Sequence, residues 1–306
     1  MSTVQHFLTV DALTPQQLEA VLQASRARRA HPVKDGEDPP LLRQSLGMLF
    51  EKPSTRTRVS FETGMTELGG HAVFLGPDDT QLDRGEPLRD TARALSGYVD
   101  AIMARVFDHD NLEELADYAT VPVINGLSDN AHPCQTLADL LTIRDQFDGF
   151  EDVSVAWVGD GNNVARSFAV GAAMVGLDLT VSTPDGYGIG EDVIERAGAY
   201  GTAPTIVTDP ADAVSDADVI YTDVWVSMGQ EAERAEKLTA FEGFQINQGL
   251  LEHAPAGAKI MHCLPAHRGE EISDDVLESD RALVWEQAEN RLHAQKGLLC
   301  YLLSSA

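Results

Sequence analysis

Five consecutive residues, Ser54-Thr55-Arg56-Thr57-Arg58, bring together two guanidiniums and three hydroxyls. They follow an apolar run, Leu46-Gly47-Met48-Leu49-Phe50, that reads as a short buried strand. They precede Phe61, Met65 and Leu68, whose spacing of four and three marks the inner face of a helix. A helix start presents unpaired backbone N–H groups and the positive end of its dipole. Hydroxyl donors and arginine forks added to that start make an anion site, suited above all to a phosphate. A lone Ser-Thr-Arg would read as a helix cap followed by surface arginines. Two arginines among three hydroxyls, directly after a buried strand, favour the anion.

Other chemistry-bearing residues also fall just past apolar runs. Arg105 closes a strand over 101–105. His132-Pro133-Cys134-Gln135 follows a strand over 121–125, and Gly159-Asp160-Gly161-Asn162-Asn163 follows one over 153–158. Asp223-Val224-Trp225-Val226-Ser227-Met228-Gly229 comes after 219–222, and Cys263-Leu264-Pro265-Ala266-His267-Arg268 after 259–262. The first half thus offers cations and hydroxyls, fit for a phosphorylated anion. The second offers Asn, Asp, Ser and Cys, fit for an amino-acid-like zwitterion.

Taken singly, each residue has an ordinary alternative. Arg105 could pair with a carboxylate, His132 could be a satisfied core histidine, and Gln135 could cap a helix. Taken together at the strand ends of one lobe, they read as one pocket that holds a phosphate and polarises a carbonyl. Asp223 is a natural partner for an ammonium. Ser227, Met228 and Gly229 form a loop that could close over a ligand. Cys263 could be a small buried hydrophobe, but its place between His262 and Pro265 favours a working thiol. The Gly159-Asp160-Gly161 turn lacks the third glycine of a dinucleotide fingerprint, because Val164 stands there. His262 and His267, in one loop, do not have a zinc spacing, so no metal is inferred.

Alternating strands and helices must position these residues. A helix opens at Thr14-Pro15 with Leu18, Val21 and Leu22 inward. Strands are predicted over 46–50, 71–75, 101–105 and 121–125, with helices between them and a long polar loop over 76–87. A helix over 133–147 leads into a second series: strands 153–158, 179–182, 205–207, 219–222 and 259–262, closed by a helix over 285–303. Such alternation predicts an α/β chain of two doubly wound parallel-sheet lobes joined near 147–151. In open parallel sheets ligands collect at the carboxyl ends of the strands.

The chain has 306 residues, enough for two domains, and its 43% hydrophobic content supports proper cores. No apolar run is long enough to cross a bilayer, and the N-terminus lacks an export signal, so the expected location is the cytoplasm. The three cysteines, Cys134, Cys263 and Cys300, are far apart, which argues against a disulfide framework. Forty-nine acidic residues stand against 22 basic ones, for a net charge of −27. That surface repels nucleic acid and anionic membranes. The acids are scattered, and their mutual repulsion would be screened by concentrated salt, which points to a high-salt cytosol.

End to end, the chain resembles the ornithine carbamoyltransferases. The Ser-Thr-Arg-Thr-Arg turn and His132-Pro133-Cys134-Gln135 are similar to the carbamoyl phosphate motifs of transcarbamoylases. The 223–229 segment and His262-Cys263-Leu264-Pro265 are similar to the ornithine-specific ones. The resemblance implies a carbamoyl phosphate domain over 1–147, an ornithine domain over 148–284, a last helix over 285–306 packing back on the first domain, and an active site in the cleft between domains. It implies that Ser54, Thr55, Arg56 and Thr57 bind phosphate, that Arg105, His132 and Gln135 hold the carbamoyl group, and that Arg291 adds a contact. Gln81, in the polar loop, would reach a neighbouring subunit's site. Asn163, Asp223, Ser227 and Met228 would bind ornithine. Cys263 and Leu264 would lie beside the reacting amine, with Cys263 as proton acceptor or orienter. Arg56, Arg105, His132 and Cys263 would carry the catalysis, without metal or cofactor, in a homo-oligomer built on trimers. One departure is Pro87, where the family pattern has Ser.

Overall fold

The computed structural model describes residues 5–33, 37–80, 85–227, 229 and 231–304. Its described chain divides into two units, 1–141 with 289–306, and 142–288. The first carries α1 (Pro15–Ala30), β1 (Ser45–Phe50), α2 (Thr55–Glu67), β2 (His71–Leu75), α3 (Leu88–Ser96), β3 (Ala101–Arg105), α4 (His109–Tyr118) and β4 (Val123–Leu127). The chain passes to the second unit within α5 (Pro133–Phe147). There follow β5 (Ser154–Val158), α6 (Asn163–Val175), β6 (Asp178–Ser182), α7 (Glu191–Gly198), β7 (Thr205–Val207), α8 (Pro210–Val214) and β8 (Val219–Thr222). Then come α9 (Arg234–Ala240), α10 (Gln248–Leu251), β9 (Lys259–His262) and α11 (Asp274–Leu277). The last helix, α12 (Val284–Leu303), returns to the first unit from Glu289 onward.

Each unit is built on one parallel sheet, so the expected pair of α/β lobes is met. The orders are β2-β1-β3-β4 and β7-β6-β5-β8-β9. In the first sheet the winding reverses between β1 and β3; in the second it reverses between β5 and β8. A crevice opens at such a reversal, because the flanking connections leave on opposite faces. Four of the six strand tips that the sequence marks as chemical, those after β1, β3, β5 and β8, lie at these two reversals; those after β4 and β9 lie one strand further out.

Local chemistry explains the elements. All six residues of β1 are buried, as a strand covered on both faces requires. Thr14 and Gln17 form a reciprocal capping box at the start of α1. Asn162 caps α6, and Gly176 ends it with φ 80°, a left-handed turn that favours glycine. Leu49, Ile102, Ala104, Leu112, Leu115 and Val123 pack in the first core. Ala156, Val158, Ile220, Ile246, Ile260 and Val284 pack in the second. Lys296 of α12, 1% exposed, reaches Glu67 at 2.6 Å, and Asn290 accepts from Arg29 at 2.6 Å.

One strand lies two residues later than its sequence pattern suggests. Residues 121–125 read as the strand, but β4 starts at Val123. Pro122 has no N–H for the ladder, so pairing starts beyond it; its carbonyl accepts from Ile102 N at 2.8 Å. A register shift between Ala104 and Arg105 then pairs Arg105 with Leu127. Asn125 therefore lies inside the strand, fully buried, and its amide donates to Leu8 O at 2.8 Å. The short helices α10 and α11 have no periodic signal long enough to read in the sequence.

Candidate active site

In the first unit Ser54 caps α2. Its hydroxyl accepts from Thr57 N at 3.4 Å and donates to Thr57 Oγ1 at 3.0 Å. Thr57 is buried, whereas Thr55 and Arg56 are exposed. Among the described residues the Arg56 side chain makes no hydrogen bond or ion pair. Arg58 does not share this situation: its guanidinium pairs with Glu62 at 3.0 Å and lies 3.7 Å from the centre of the Phe74 ring. The sequence offered two guanidiniums for the anion. The structure leaves Arg56 and commits Arg58 elsewhere, because two residues on, about 200° round the helix, its side chain turns towards β2.

Arg291 arrives from α12 and ties the turn to α5. Its Nη2 donates to Thr57 Oγ1 at 3.1 Å and its Nη1 to Gln135 Oε1 at 2.7 Å. Gln135 Nε2 donates to Asp139 at 2.8 Å. Thr57 Oγ1 thus accepts two donors, which leaves its own proton pointing away from both. Gln135 likewise keeps one amide proton beyond the one given to Asp139. Arg105 and His132 are each 5% exposed. Burial first, then the charges of Arg291, Arg105 and Lys52, hold the His132 imidazole well below its ordinary range. At neutral pH its ring is therefore neutral, with one N–H to donate.

Lys52 escaped the sequence reading. It sits directly before the turn, and the only signal was a lysine in a chain with five of them. Gln81, in the long polar loop, lies outside the described residues. Pro87 directly precedes α3, and the neighbouring Glu86 accepts from Thr91 Oγ1 at 3.0 Å.

In the second unit, β8 and β9 are neighbours in register, Thr222 against His262. That register sets Asp223 beside Cys263, and the thiol donates to Asp223 Oδ1 at 2.9 Å. Asn162, capping α6 beyond β5, donates to Asp223 Oδ2 at 2.8 Å. Of the two asparagines at this helix start, Asn162 reaches the Asp223 carboxylate, and Asn163 opens the helix half-buried. Close approach of the α6–β5 turn to residues 188–189 needs glycine at 161, where a Cβ would lie 2.4 Å from Gly188 C. Ser227 is half-buried at the end of the 223–227 segment, and Met228 lies outside the described residues.

His262 orients the Cys263-Leu264 turn. Leu264 N donates to His262 Nδ1 at 2.9 Å, which leaves Nε2 as the N–H that meets Glu271 Oε1 at 2.9 Å. Leu264 itself has φ 59°. Ligand atoms of Asp223, His262 and Cys263 lie within 4.8 Å of one another, as do those of His267, Glu270 and Glu271. Both ring nitrogens of His262 are occupied by protein hydrogen bonds, and Glu270 is paired with Arg234. Behind the Asp223 carboxylate, Lys237 and Asp160 form a buried ion pair at 2.7 Å.

Comparison with known proteins matches this geometry to one family. Residues 5–145 match the model of the aspartate/ornithine carbamoyltransferase carbamoyl-P binding domain, and residues 151–302 that of the Asp/Orn binding domain. The chain is 64% identical over 304 residues to an ornithine carbamoyltransferase of Haloquadratum walsbyi, covering 99% of each chain. It is 51% identical to that of Archaeoglobus fulgidus, covering 98% of each. Among solved structures, the ornithine carbamoyltransferase from Pyrococcus furiosus superposes with a TM-score of 0.94 at 49% identity, covering 100% of this chain and 99% of that one. The enzyme from Thermus thermophilus gives 0.89 at 40% identity, covering 98% and 99%. With matching domain models over nearly its whole length, this chain belongs to the aspartate/ornithine carbamoyltransferase family.

Proposed function

We propose that this chain transfers the carbamoyl group of carbamoyl phosphate to the side-chain amine of L-ornithine, giving L-citrulline and phosphate, or runs the reverse in arginine breakdown. The observation that carries the choice of acceptor is the Asp223 carboxylate held by Cys263 and Asn162. Nearby cations are committed: Lys237 to Asp160, Arg234 to Glu270, and Arg268 to Asp274 and Glu278. Such a site favours an acceptor carrying an ammonium and disfavours a dicarboxylate such as aspartate.

On this reading Ser54, Thr55, Arg56 and Thr57 receive the phosphate, with the open N–H groups at the start of α2. The neutral His132 ring donates to the carbamoyl oxygen, joined by Arg105 and by the outward proton of Thr57. Gln135 donates its remaining amide proton, and Arg291 fixes both Gln135 and Thr57. When the amine attacks the carbonyl carbon, negative charge grows on that oxygen, and these donors are already in place to meet it. Loss of one such donor costs about 3 kcal/mol in the barrier. The C–O bond to phosphate then breaks, and the electron pair leaves with the phosphate towards Arg56.

Asn163, Asp223, Ser227 and Met228 hold the amino acid, while Cys263 and Leu264 flank the amine. The Cys263 proton is given to Asp223, so the sulfur lone pairs face outward to accept an amine N–H; Cys263 thus acts as an orienter. The amine reacts as its free base, whose pKa is near that of lysine, about 10.4. The rate therefore rises with pH through the neutral range.

The domains in this proposal run 1–147, 148–284 and 285–306. The active assembly is a trimer or a multiple of trimers, with Gln81 serving a neighbour's site. The location is a high-salt cytoplasm, supported by the net charge of −27 and by the family resemblance. The test is a colorimetric citrulline assay with carbamoyl phosphate and ornithine, set against putrescine, lysine, acylated ornithine and aspartate. Ureido product from aspartate but not from ornithine would overturn the proposal. Sedimentation of the active enzyme tests the trimer.

A further inference from the structure

Asn125 is the buried amide that this mechanism leaves without a task. It is fully buried in β4, beside Val123 and Ile124. A leucine would fill that place with no loss of hydration, whereas an amide taken from water is costly unless its protons find acceptors. Here the two protons on Nδ2 serve three acceptors: Leu8 O at 2.8 Å, Ala131 O at 3.3 Å and Ser128 Oγ at 3.4 Å. The main chain of the same residue is held too. Its N–H donates to Phe7 O at 2.9 Å, and its carbonyl accepts from Cys134 Sγ at 3.3 Å. One residue thus joins the entering chain at 7–8, the loop over 128–131 and the first turn of α5.

Ser128, also fully buried, closes the same loop from its other end. Its N–H donates to Ala131 O at 3.0 Å, and its hydroxyl accepts from Ala131 N at 3.2 Å. His109 Nδ1 lies 2.7 Å from that hydroxyl. Both backbone groups of Ala131 are therefore fixed, and the next residue is His132. Beyond it, the His132 carbonyl accepts from Gln135 N at 3.0 Å and Thr136 N at 3.3 Å. The backbone of His132 is held on both sides, in a loop position where backbones are ordinarily mobile.

We infer that Asn125 and Ser128 are positioning residues for His132, clasping the 128–131 loop so that the imidazole is already aimed when the carbamoyl oxygen gains charge. This inference rests on the carbamoyl phosphate reading of the first unit. A donor stabilises a developing oxyanion only if it needs no rearrangement at that moment. A neighbouring clasp that fixes the donor's backbone supplies that condition without touching the substrate. The phosphate-facing turn over 54–57 belongs to another strand end and takes no hydrogen bond from the clasp, so the two functions separate.

The experiment is a double-mutant cycle on the full chain in molar KCl. Steady-state rates with carbamoyl phosphate and ornithine are compared for wild type, Asn125→Leu, Ser128→Ala, His132→Gln and the two doubles that include His132→Gln. Competitive inhibition by inorganic phosphate and the melting temperature are read for each. Asn125→Leu is expected to lower kcat about 10- to 100-fold, the size of a displaced catalytic group. Ser128→Ala, which removes one hydroxyl, should lower it about fivefold. Inhibition by phosphate should be unchanged in both. In the His132→Gln background neither change should cost more than about twofold, because the group they aim is already gone. Should Asn125→Leu not fold, Ser128→Ala carries the same cycle. Normal kcat in a folded Asn125→Leu or Ser128→Ala would overturn the inference. So would losses that multiply in full with that of His132→Gln, or a loss of phosphate inhibition parallel to the loss of rate, since either marks a merely structural defect. If His132→Gln itself left the rate unchanged, the carbamoyl phosphate reading of that residue would fall, and this inference with it.

Discussion

Replacing Lys237 by methionine is the most direct test of how the second unit holds the Gly159–Asn163 turn. Lys237 is 3% exposed, and its ammonium lies 2.7 Å from Asp160 Oδ2 and 5.6 Å from the centre of the Tyr187 ring. Asp160 is the second residue of the Gly159–Asn163 turn, which also carries Asn162 to Asp223. Methionine keeps most of the lysine's length but removes the charge, so the Asp160 carboxylate is left buried with its main counter-charge gone. Breaking a buried pair in this way costs about 3–5 kcal/mol. For a unit of roughly 150 residues each kcal/mol moves Tm by about 2–4 °C, so Lys237→Met should melt roughly 6–20 °C lower. Scanning calorimetry in molar KCl, which suppresses surface charge effects, is the assay. The double variant Lys237→Met/Asp160→Leu should recover much of the loss, since it leaves no orphaned charge.

The pH dependence has a definite sign. Burial raises the Asp160 carboxyl above its ordinary range, opposed by Lys237 through its hydrogen bond and charge. Without Lys237 it rises further. Below the ordinary carboxylate range the group is protonated in the folded and the unfolded chain alike and costs nothing extra. The deficit of Lys237→Met is therefore smallest in acid and grows as pH rises through the folded-state pKa. A melting temperature within about 2 °C of wild type would refute the reasoning, as would a deficit that does not change between pH 5 and pH 8.

Four further outcomes are expected. Arg56→Ala abolishes turnover, and Arg291→Met, which loses the contacts to Gln135 and Thr57, raises the KM for carbamoyl phosphate about tenfold or more; initial rates decide both, and normal turnover by Arg56→Ala would sink the phosphate assignment. Cys263→Ala lowers kcat while leaving carbamoyl phosphate binding intact, because the thiol touches Asp223 in the unit proposed to hold ornithine; unchanged kinetics would show that the sulfur does not orient the amine. The chain's Tm falls on dilution from molar KCl to dilute buffer, because the screening length grows from about 3 Å at 1 M to about 10 Å at 0.1 M; equal melts would refute adaptation to salt.

Much of this protein is legible in the amino-acid sequence because its signals are local. Periodicity writes the strands and helices, the Ser54–Arg58 turn carries side-chain chemistry suited to an anion, and the excess of acids is a simple count. Other features are absent from any local pattern. The order β2-β1-β3-β4 and the order β7-β6-β5-β8-β9 are settled by which strands pair, and only that pairing puts Asp223 beside Cys263 and Asn162. Arg58 looks equal to Arg56 in the sequence, yet Glu62 and Phe74 claim it once the helix forms. Lys52 and Lys237 read as ordinary lysines until burial removes water from them and leaves their charges dependent on whatever partner the fold supplies. Chain order thus determined the elements and the kinds of chemistry, while the long-range pairing of strands and the exclusion of solvent decided which side chains meet.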